Sequence, residues 1–212
     1  MKTRLELAAV SKAFGKRQVL NQAWLQVRAG EAVGLIGANG AGKTTLLRIA
    51  AGLERPSAGS VRWSAMTGDV DARIRYYGGE NTLPPSVPAR RWASLFGVAI
   101  DEHRRIGRLS RGTRQILGLE VLLAEDDADL LLLDEPWESL DPEGSAWLTD
   151  TVRRWRDGGA AILISSHRLY DLDSVCTRFL LLEGGGCQAV RDRELRPRVD
   201  QLALAVRSRG RA

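Results

Sequence analysis

The sequence predicts an α/β fold built on a largely parallel sheet. Continuous apolar runs, which are typical of strands buried in such a sheet, occupy residues 32–36, 130–134 and 160–165. Helical patterns follow the first two runs, at residues 44–51 and 142–157. Because strand and helix alternate along the chain, we expect the strands to be joined by helical crossovers.

The N-terminal part of the chain predicts a second kind of sheet. Residues 3–30 alternate apolar and polar side chains, with Gly15 and Gly30 at turn positions, which is typical of short antiparallel strands. A turn at residues 56–60 then leads into a further strand around residues 61–63. We therefore expect an N-terminal antiparallel β subdomain beside the α/β core.

A short helical subdomain is predicted between two strands of the core. A strand at residues 74–77 is followed by a connector that contains three prolines and is not helical. Residues 89–108 are mostly helical in pattern, and a second helix is expected over residues 111–124. Residues 80–124 are therefore expected to form a short helical subdomain inserted into the core.

Length and composition fit one globular domain. The chain has 212 residues, of which 44% are hydrophobic, so we expect a single domain over residues 1–212. A hairpin with a glycine turn is predicted at residues 179–190, and the basic tail behind it is expected to form a short helix. No apolar run reaches membrane-spanning length, and the N-terminus lacks the apolar stretch of a signal peptide. A cytoplasmic location is therefore expected.

Charge and cysteine content narrow the classes of partner and cofactor. The net charge is +5, with arginine clusters around residues 90–91, 103–105 and 153–156. We interpret these clusters as solvated helix faces; an acidic partner or anionic lipid is the alternative, and no nucleic acid is expected. Cys176 and Cys187 form no C-x-x-C pair, which predicts two buried, reduced thiols rather than a disulfide or a metal site.

Residues 37–45 are the most informative motif, because they fit the pattern G-x-x-x-x-G-K-[ST] between a strand and a helix. In that context backbone amides and the positive end of the helix converge on phosphate oxygens. We expect Lys43 to reach the β- and γ-phosphates of ATP and the Thr44 hydroxyl to ligate Mg²⁺. The alternative, a chance match in a glycine-rich loop, is disfavoured by the flanking strand and helix. The expected nucleotide contacts are Gly37, Ala38, Asn39, Gly40, Ala41, Gly42, Lys43, Thr44 and Thr45.

Asp134 and Glu135 stand at the end of a run of four leucines. A carboxylate at the C-terminal end of a buried strand faces the crevice in which open α/β sheets bind ligands. We predict that Asp134 holds Mg²⁺ and that Glu135 is the catalytic general base that polarises the attacking water. The alternative is an acidic pair that caps Pro136.

Residues 109–115, L-S-R-G-T-R-Q, lie between these two motifs. They resemble the signature motif of ATP-binding cassette (ABC) ATPases, although Arg111 stands where that family most often has a small residue. Ser110 and the Gly112 amide lie at the start of a predicted helix, which suits phosphate binding. The resemblance implies that this phosphate belongs to ATP held by the opposite subunit, and it adds Gln115 to the residues of the nucleotide site.

Three further segments extend the resemblance. Residues 138–141 are similar to the D-loop of ABC ATPases, which places Asp141 at the nucleotide site. Residues 165–167 are similar to the switch-histidine loop, so His167 is expected to be a catalytic group in contact with the γ-phosphate. Phe14 lies in a segment that resembles the one whose aromatic residue stacks on adenine; a core aromatic residue is the alternative.

The resemblance covers roughly residues 3–190, with all motifs in the order of the family. It implies a P-loop NTPase fold of the ABC ATPase type, ATP and Mg²⁺ as ligands, and ATP-driven dimerisation with an identical or a different ATPase subunit. For most members it also implies a separate polytopic membrane subunit, which would hold this chain at the inner face of the cell membrane. We therefore expect an ATP-hydrolysing subunit of an ABC transporter, with export as the expected direction. The alternatives are a soluble ABC ATPase without a transport role, and an ATP-sensing module with weak hydrolysis.

Two departures from the family pattern stand out. The stretch after residues 74–77 lacks the Gln that in the family contacts Mg²⁺ and the attacking water; Gly79 or Glu80 occupies its place. This stretch is similar to that of haem-exporter ATPases of cytochrome c maturation, which also lack the Gln. In addition, the segment between Gly79 and Ser110, which in the family docks on the membrane subunit, is short, so an atypical partner is one of the alternatives.

Overall fold

A computed structural model gives the structure of the protein. It describes residues 2–65, 72–79, 83–124, 127–167 and 169–190. Within these ranges the chain forms two sheets, a three-stranded antiparallel one and a six-stranded one that is mostly parallel. Both predicted kinds of sheet are therefore present. The predicted helix in the basic tail lies outside the described residues.

The antiparallel sheet is formed by β1 (Thr3–Phe14), β2 (Arg17–Arg28) and β4 (Ala58–Trp63), in the order β2-β1-β4. Gly15, with φ of +58°, makes the tight turn between β1 and β2. Both strands are longer than the short strands that the sequence predicts. Register shifts along β1 explain the difference, because bulges interrupt the alternation without ending the strand.

The six-stranded sheet has the order β5-β6-β7-β3-β8-β9. The first five strands in this order are parallel, and β9 pairs antiparallel with β8. Every residue of β3, β6 and β7 is buried, which is why these strands are continuous apolar runs. The strands are β3 (Ala32–Ile36), β5 (Ile74–Tyr77), β6 (Leu130–Asp134), β7 (Ala161–Ser165), β8 (Arg178–Glu183) and β9 (Gly186–Val190).

Helices cover both faces of the six-stranded sheet. One face packs with residues of α1 and the antiparallel sheet, and the other packs with residues of α4. The carboxyl ends of β3, β6 and β7 therefore meet at one edge, next to the start of α1. The helices are α1 (Lys43–Ala50), α2 (Ala89–Ser94), α3 (Arg111–Leu122), α4 (Pro142–Asp157) and α5 (Leu169–Asp173).

The prediction of a mostly helical segment over residues 89–108 is wrong. Helix α2 ends at Ser94, and only a 3₁₀ turn at Ile106–Arg108 follows it. Gly97, with φ of +73°, ends the helix because the next amide bonds back to Ala93. The chain then runs back beside the start of α2.

The segment between β5 and β6 has a small hydrophobic core of its own. Side chains from α2, α3 and the intervening loop form it: Ala89, Ala93, Ile106, Leu109, Leu117 and Val121. Two large apolar side chains of this segment, Leu95 and Phe96, remain exposed. Within the described part of the chain, no helix combines the length and the apolar character needed to cross a membrane.

Cys176 and Cys187 are both free, and they are partly buried rather than fully buried as predicted. Burial raises the pKa of Cys187 to about 12 and also raises the pKa of Cys176, so both remain protonated at neutral pH. Residues 90–91 and 153–154 are exposed on α2 and α4, as predicted for solvated helix faces. The prediction is wrong for residues 103–105, which are exposed but lie in a loop, and in the third cluster Trp155 is buried and Arg156 half-buried.

Candidate functional site

The loop between β3 and α1 is shaped by glycines that no other residue can replace without displacement. A Cβ atom at Gly37 would lie 2.8 Å from the carbonyl oxygen of Leu182. Gly42, with φ of +106°, begins α1, and a Cβ atom there would lie 3.0 Å from Cγ1 of Val19. The backbone of the loop is therefore held against β2 and β8, with the N-terminus of α1 directed into the site.

Lys43 is the buried cation of this loop, with only 7% of its surface exposed. Its Nζ donates a hydrogen bond to the carbonyl oxygen of Gly37 at 2.9 Å and lies 3.3 Å from Oε1 of Glu135. These contacts fix the ammonium group at the mouth of the glycine loop. A polyanion that enters the loop would meet an already positioned positive charge.

Thr44 and Asp134 meet where α1 begins and β6 ends. The Thr44 hydroxyl donates to Oδ2 of Asp134 at 2.6 Å, and the Ser165 hydroxyl donates to Oδ1. Ser165 lies opposite Asp134 in the parallel pairing of β6 and β7. The sequence gives no local signal for this role of Ser165, because it arises only from strand register.

Thr44 and Asp134 offer a divalent cation one hydroxyl and one carboxylate, which are the hard oxygen donors that Mg²⁺ prefers. Among the described residues, no group of three or more His, Cys, Asp or Glu side chains is placed to hold a metal ion. A single hydroxyl and a single carboxylate fit a cation that is shared with phosphate oxygens and water.

Glu135 adopts a left-handed backbone conformation, with φ of +48°. Its amide donates to Oγ of Ser165 at 3.0 Å, which fixes this unusual conformation at the end of β6. Oε2 of Glu135 accepts a hydrogen bond from the backbone amide of His167 at 3.1 Å and lies 2.9 Å from Nδ1 of the same residue. The structure thus brings together the two side chains that the sequence predicts to be catalytic.

A cavity of about 620 Å³ opens above the loop. Phe14 lies at its rim with 51% of its surface exposed, which excludes the alternative of a core aromatic residue. Lys12 places its Nζ 4.8 Å from the centroid of the Phe14 ring. Arg17 and Val19 also reach the cavity from β2, although nothing in the sequence singled them out. The lining residues are Phe14, Arg17, Val19, Asn39, Gly40, Gly42, Lys43, Thr44, Thr45 and Glu135.

The signature residues form a second cavity, of about 610 Å³. Ser110 caps α3, because its Oγ accepts the amide of Thr113 at 3.1 Å. Gly112 is required here, since a Cβ atom would lie 2.6 Å from the carbonyl oxygen of Ser139. This cavity shares no lining residue with the first one. Its lining residues are Ser110, Arg111, Gly112, Thr113, Ile116, Ser139, Leu140 and Asp141.

Gln115 and Asp141, both predicted to lie at the nucleotide site, make contacts within the chain. Gln115 is 4% exposed and donates from its amide to the carbonyl oxygen of Pro136. It therefore ties α3 to the loop that follows Asp134. Asp141 caps α4, because its Oδ1 accepts the amide of Gly144 at 2.7 Å.

Tyr76 is a further residue that sequence reasoning missed. It precedes Gly78 and Gly79 at the end of β5, where the sequence lacks the expected Gln; Glu80 lies outside the described residues. Burial, together with the negative charge of Asp134, raises the pKa of Tyr76 to about 12. The phenol therefore remains a neutral hydrogen-bond donor next to the Asp134 carboxylate.

Comparison with known proteins shows the family. The family described as ABC transporter matches residues 20–138. The uncharacterized ABC transporter ATP-binding protein YhcH of Bacillus subtilis is 32% identical, with 87% of this chain and 68% of the relative covered. Nod factor export ATP-binding protein I of Cupriavidus pinatubonensis is 31% identical, with coverage of 85% and 64%. Ribose import ATP-binding protein RbsA 2 of Streptomyces avermitilis is 33% identical, with coverage of 85% and 42%.

Solved structures show the same fold. A dimeric ATP-binding cassette in a post-hydrolysis state, bound to ADP and Pi, superposes with a TM-score of 0.74 at 20% identity. The match covers 88% of this chain and 98% of that cassette. The predicted α/β fold of the ABC ATPase type is therefore confirmed. The chain belongs to the ABC transporter family, as an ATP-binding subunit with the fold of an ABC ATPase.

Proposed function

We propose that this chain hydrolyses ATP at sites shared between two ATPase subunits and thereby powers transport through a separate polytopic membrane subunit. One observation carries the proposal. The phosphate-binding loop and Glu135 line one cavity of the chain, and the signature residues line a separate one. A head-to-tail pair of subunits would place each signature cavity over the loop of the other subunit.

The first cavity is suited to binding ATP with Mg²⁺. The amides of the glycine loop and the Lys43 ammonium would bind phosphate oxygens, while Phe14 would offer its ring to the adenine. Thr44 and Asp134 would hold Mg²⁺, and Ser165 keeps Asp134 in place through its hydrogen bond. When bound, Mg²⁺ neutralises charge that develops on the β- and γ-phosphate oxygens.

Glu135 is suited to accept a proton from the attacking water. Its carboxylate lies at the site, because it contacts both Lys43 and His167. When ATP is bound, the Lys43 ammonium would pair with phosphate oxygens instead of Glu135. The Glu135 carboxylate would then be available as a base. His167 orients that carboxylate through its backbone amide, and its exposed ring is placed to reach the γ-phosphate.

The signature cavity is suited to the γ-phosphate of a second subunit. Ser110 and the amide of Gly112 lie at the N-terminus of α3, where anions are stabilised. Arg111 lies 3.7 Å from Glu138 at the rim and adds a guanidinium that can pair with phosphate. Gln115 and Asp141 would stabilise this surface through their hydrogen bonds to the backbone of Pro136 and Gly144. Homodimers and heterodimers are both compatible with this arrangement.

The segment between β5 and β6 is proposed as the docking site for the membrane subunit. Its helices α2 and α3 pack on the small core around Ala93. Leu95, with 73% of its surface exposed, and Phe96 are apolar side chains that a partner would cover. Docking there would hold the chain at the cytoplasmic face of the membrane. Export is the proposed direction, supported by the similarity to haem-exporter ATPases in the stretch after β5.

A purification experiment tests the docking proposal. The tagged full-length chain is isolated in detergent from membranes of its host, and co-purifying proteins with several predicted membrane spans are identified by mass spectrometry. Leu95→Asp and Phe96→Asp are expected to remove such a partner, because each buries a carboxylate in the contact. Leu53→Asp is the matched control, since Leu53 is 56% exposed outside this subdomain.

Loss of the partner in the Leu53 variant as well would contradict docking through Leu95 and Phe96. Absence of any polytopic protein from the wild-type preparation would favour a soluble ABC ATPase instead. ATP sensing with weak hydrolysis is a second candidate, favoured by Gly78 and Gly79 at the end of β5 in place of Gln. Turnover that stays below about one ATP per minute when the membrane partner is bound, far under the usual enzymatic range, would support that candidate.

A further inference from the structure

Tyr76 lies on the same face of the sheet as Asp134. In the parallel pairing of β5 with β6, Tyr76 is opposite Leu132, and Asp134 follows Leu132 by two positions. Because side chains alternate between the two faces of a strand, Leu132 and Asp134 point to the same face. Tyr76 packs with Leu132 in the core cluster that includes α1, which is the helix that supplies Thr44.

The ring of Tyr76 leans towards the carboxyl edge of the sheet. A Cβ atom on Gly78 would lie 2.7 Å from Cε1 of Tyr76 and 2.8 Å from its hydroxyl oxygen. The phenol therefore occupies the space that a side chain at position 78 would fill. By strand register, position 78 is level with Asp134, so the hydroxyl lies at the height of that carboxylate.

The Tyr76 hydroxyl is available as a donor. It makes no hydrogen bond with any residue in the described ranges. Each oxygen of the Asp134 carboxylate accepts one hydroxyl, from Thr44 or from Ser165, and retains capacity for one more donor. A donor that is uncommitted beside such a carboxylate is placed to complete its coordination.

We infer that Tyr76 is a positioning residue of the magnesium site, whose hydroxyl donates to the Asp134 carboxylate through one water. The inference rests on the proposed role of Thr44 and Asp134 as the magnesium ligands. Hydrogen bonds to a ligating carboxylate fix its orientation and hence the affinity for the metal. Tyr76 would supply this support in a chain that has no Gln at the end of β5.

The affinity for Mn²⁺ tests the inference without relying on turnover. The full-length chain, in excess over a non-hydrolysable ATP analogue with a nitrogen β–γ bridge, is titrated with Mn²⁺, and the free ion is measured by its EPR signal. Tyr76→Phe removes only the hydroxyl and is expected to raise the dissociation constant for Mn²⁺ by about 10-fold or more, the range for a lost partner of a metal ligand.

Tyr77→Phe is the matched control, because Tyr77 is the adjacent residue, is buried, and packs on the opposite face of the sheet. It is expected to leave the dissociation constant unchanged within about twofold, since its hydroxyl is not at the proposed metal ligands. Equal affinities of wild type and Tyr76→Phe, or equal losses in both tyrosine variants, would overturn the inference.

Asp134→Asn separates this inference from the proposed metal site. It is expected to weaken Mn²⁺ binding at least as much as Tyr76→Phe, because it removes the charge of the ligand itself. A loss in Asp134→Asn without a loss in Tyr76→Phe overturns the role of Tyr76 alone. An unchanged affinity in Asp134→Asn overturns the magnesium site and the role of Tyr76 together.

Discussion

The P-loop cavity, lined by Phe14, Lys43 and Glu135 among others, and the signature cavity, lined by Ser110 and Asp141 among others, are similar in volume, about 620 and 610 Å³, but differ in how their polar groups are satisfied. In the P-loop cavity the functional side chains hold one another, as Lys43 does between the Gly37 carbonyl and the Glu135 carboxylate. In the signature cavity Ser110 and Asp141 accept the backbone amides of Thr113 and Gly144 at the starts of α3 and α4. Charged side chains therefore contact one another in the P-loop cavity, whereas Ser110 and Asp141 of the signature cavity cap α3 and α4.

Because of this difference, we expect the two cavities to control different steps of the proposed cycle. Groups at the carboxyl edge of the sheet are positioned by strand register and need no partner to be ordered. A helix N-terminus without an anion is an incomplete interaction, and ATP held by a second subunit would complete it. Variants in the P-loop cavity should therefore alter nucleotide binding or chemistry, and variants in the signature cavity should alter association. The predictions below test this division.

Glu135→Gln should have the largest effect. The amide keeps the shape of the side chain but cannot accept a proton, so kcat for ATP hydrolysis should fall by about 10²- to 10⁴-fold. ATP affinity should change little, and the ATP-bound dimer should accumulate. Steady-state phosphate release measures the rate, and calorimetry measures the affinity.

Glu143→Gln provides the control for this charge change. Glu143 is exposed in the first turn of α4 and lines neither cavity, so the kcat of this variant should remain within about twofold of wild type. A Glu135→Gln variant with wild-type turnover would show that Glu135 is not the base. It would also remove the reason to regard the P-loop cavity as the chemical half of the site.

Ser110→Arg should have an intermediate effect, confined to association. The bulky side chain would fill the space at the start of α3 where the partner's phosphate is expected, so ATP-driven dimerisation should weaken by about 10- to 100-fold, as for a sterically overfilled contact. Loss of the helix cap should cost about 1 kcal/mol of unfolding free energy. Nucleotide binding to the monomer should be unchanged.

Sedimentation velocity in the Glu135→Gln background, with and without ATP and Mg²⁺, measures this effect. Ser174→Arg is the control, because Ser174 is exposed and lies outside the signature cavity. A dimer that forms equally well in Ser110→Arg would show that the signature cavity is not part of the interface. If the parent protein shows no dimer either, the measurement is repeated with the membrane partner bound, and a dimer that is absent there too contradicts shared sites.

The sequence predicts those parts of the molecule that a short run of neighbouring residues identifies. The runs at β3, β6 and β7 are apolar because every residue is buried, and the glycine loop is recognisable because its conformation requires glycine at Gly42. Lys43 and Asp134 could be predicted as site residues because Lys43 begins a helix and Asp134 ends a strand. These assignments need only the order of residues along the chain.

Other parts depend on contacts that the sequence does not display. The sequence analysis does not predict the end of α2 at Ser94, although Gly97 is a stop signal. The path of the chain after α2 is fixed by the hydrogen bond from the Ala89 amide to the distant Arg104 carbonyl, which the sequence does not display. Ser165 and Tyr76 become neighbours of Asp134 only through strand register. Pattern reasoning identifies elements well but does not pair them.

Phe14→Ala should have the smallest of the three effects, and it tests whether the rim of the P-loop cavity contributes only to recognition of the base. Phe14 is half exposed and contacts Lys12, so its ring is free on one side to stack on adenine. The dissociation constant for ATP should rise by about 3- to 10-fold, the range for one aromatic pair. Binding of inorganic tripolyphosphate, which has no base, should not change. Trp24→Ala is the control, since Trp24 is an equally exposed aromatic residue of the same sheet that does not line the cavity. Calorimetry with both ligands decides the matter, because equal weakening of ATP and tripolyphosphate would mean that Phe14 acts on the glycine loop and not on the base.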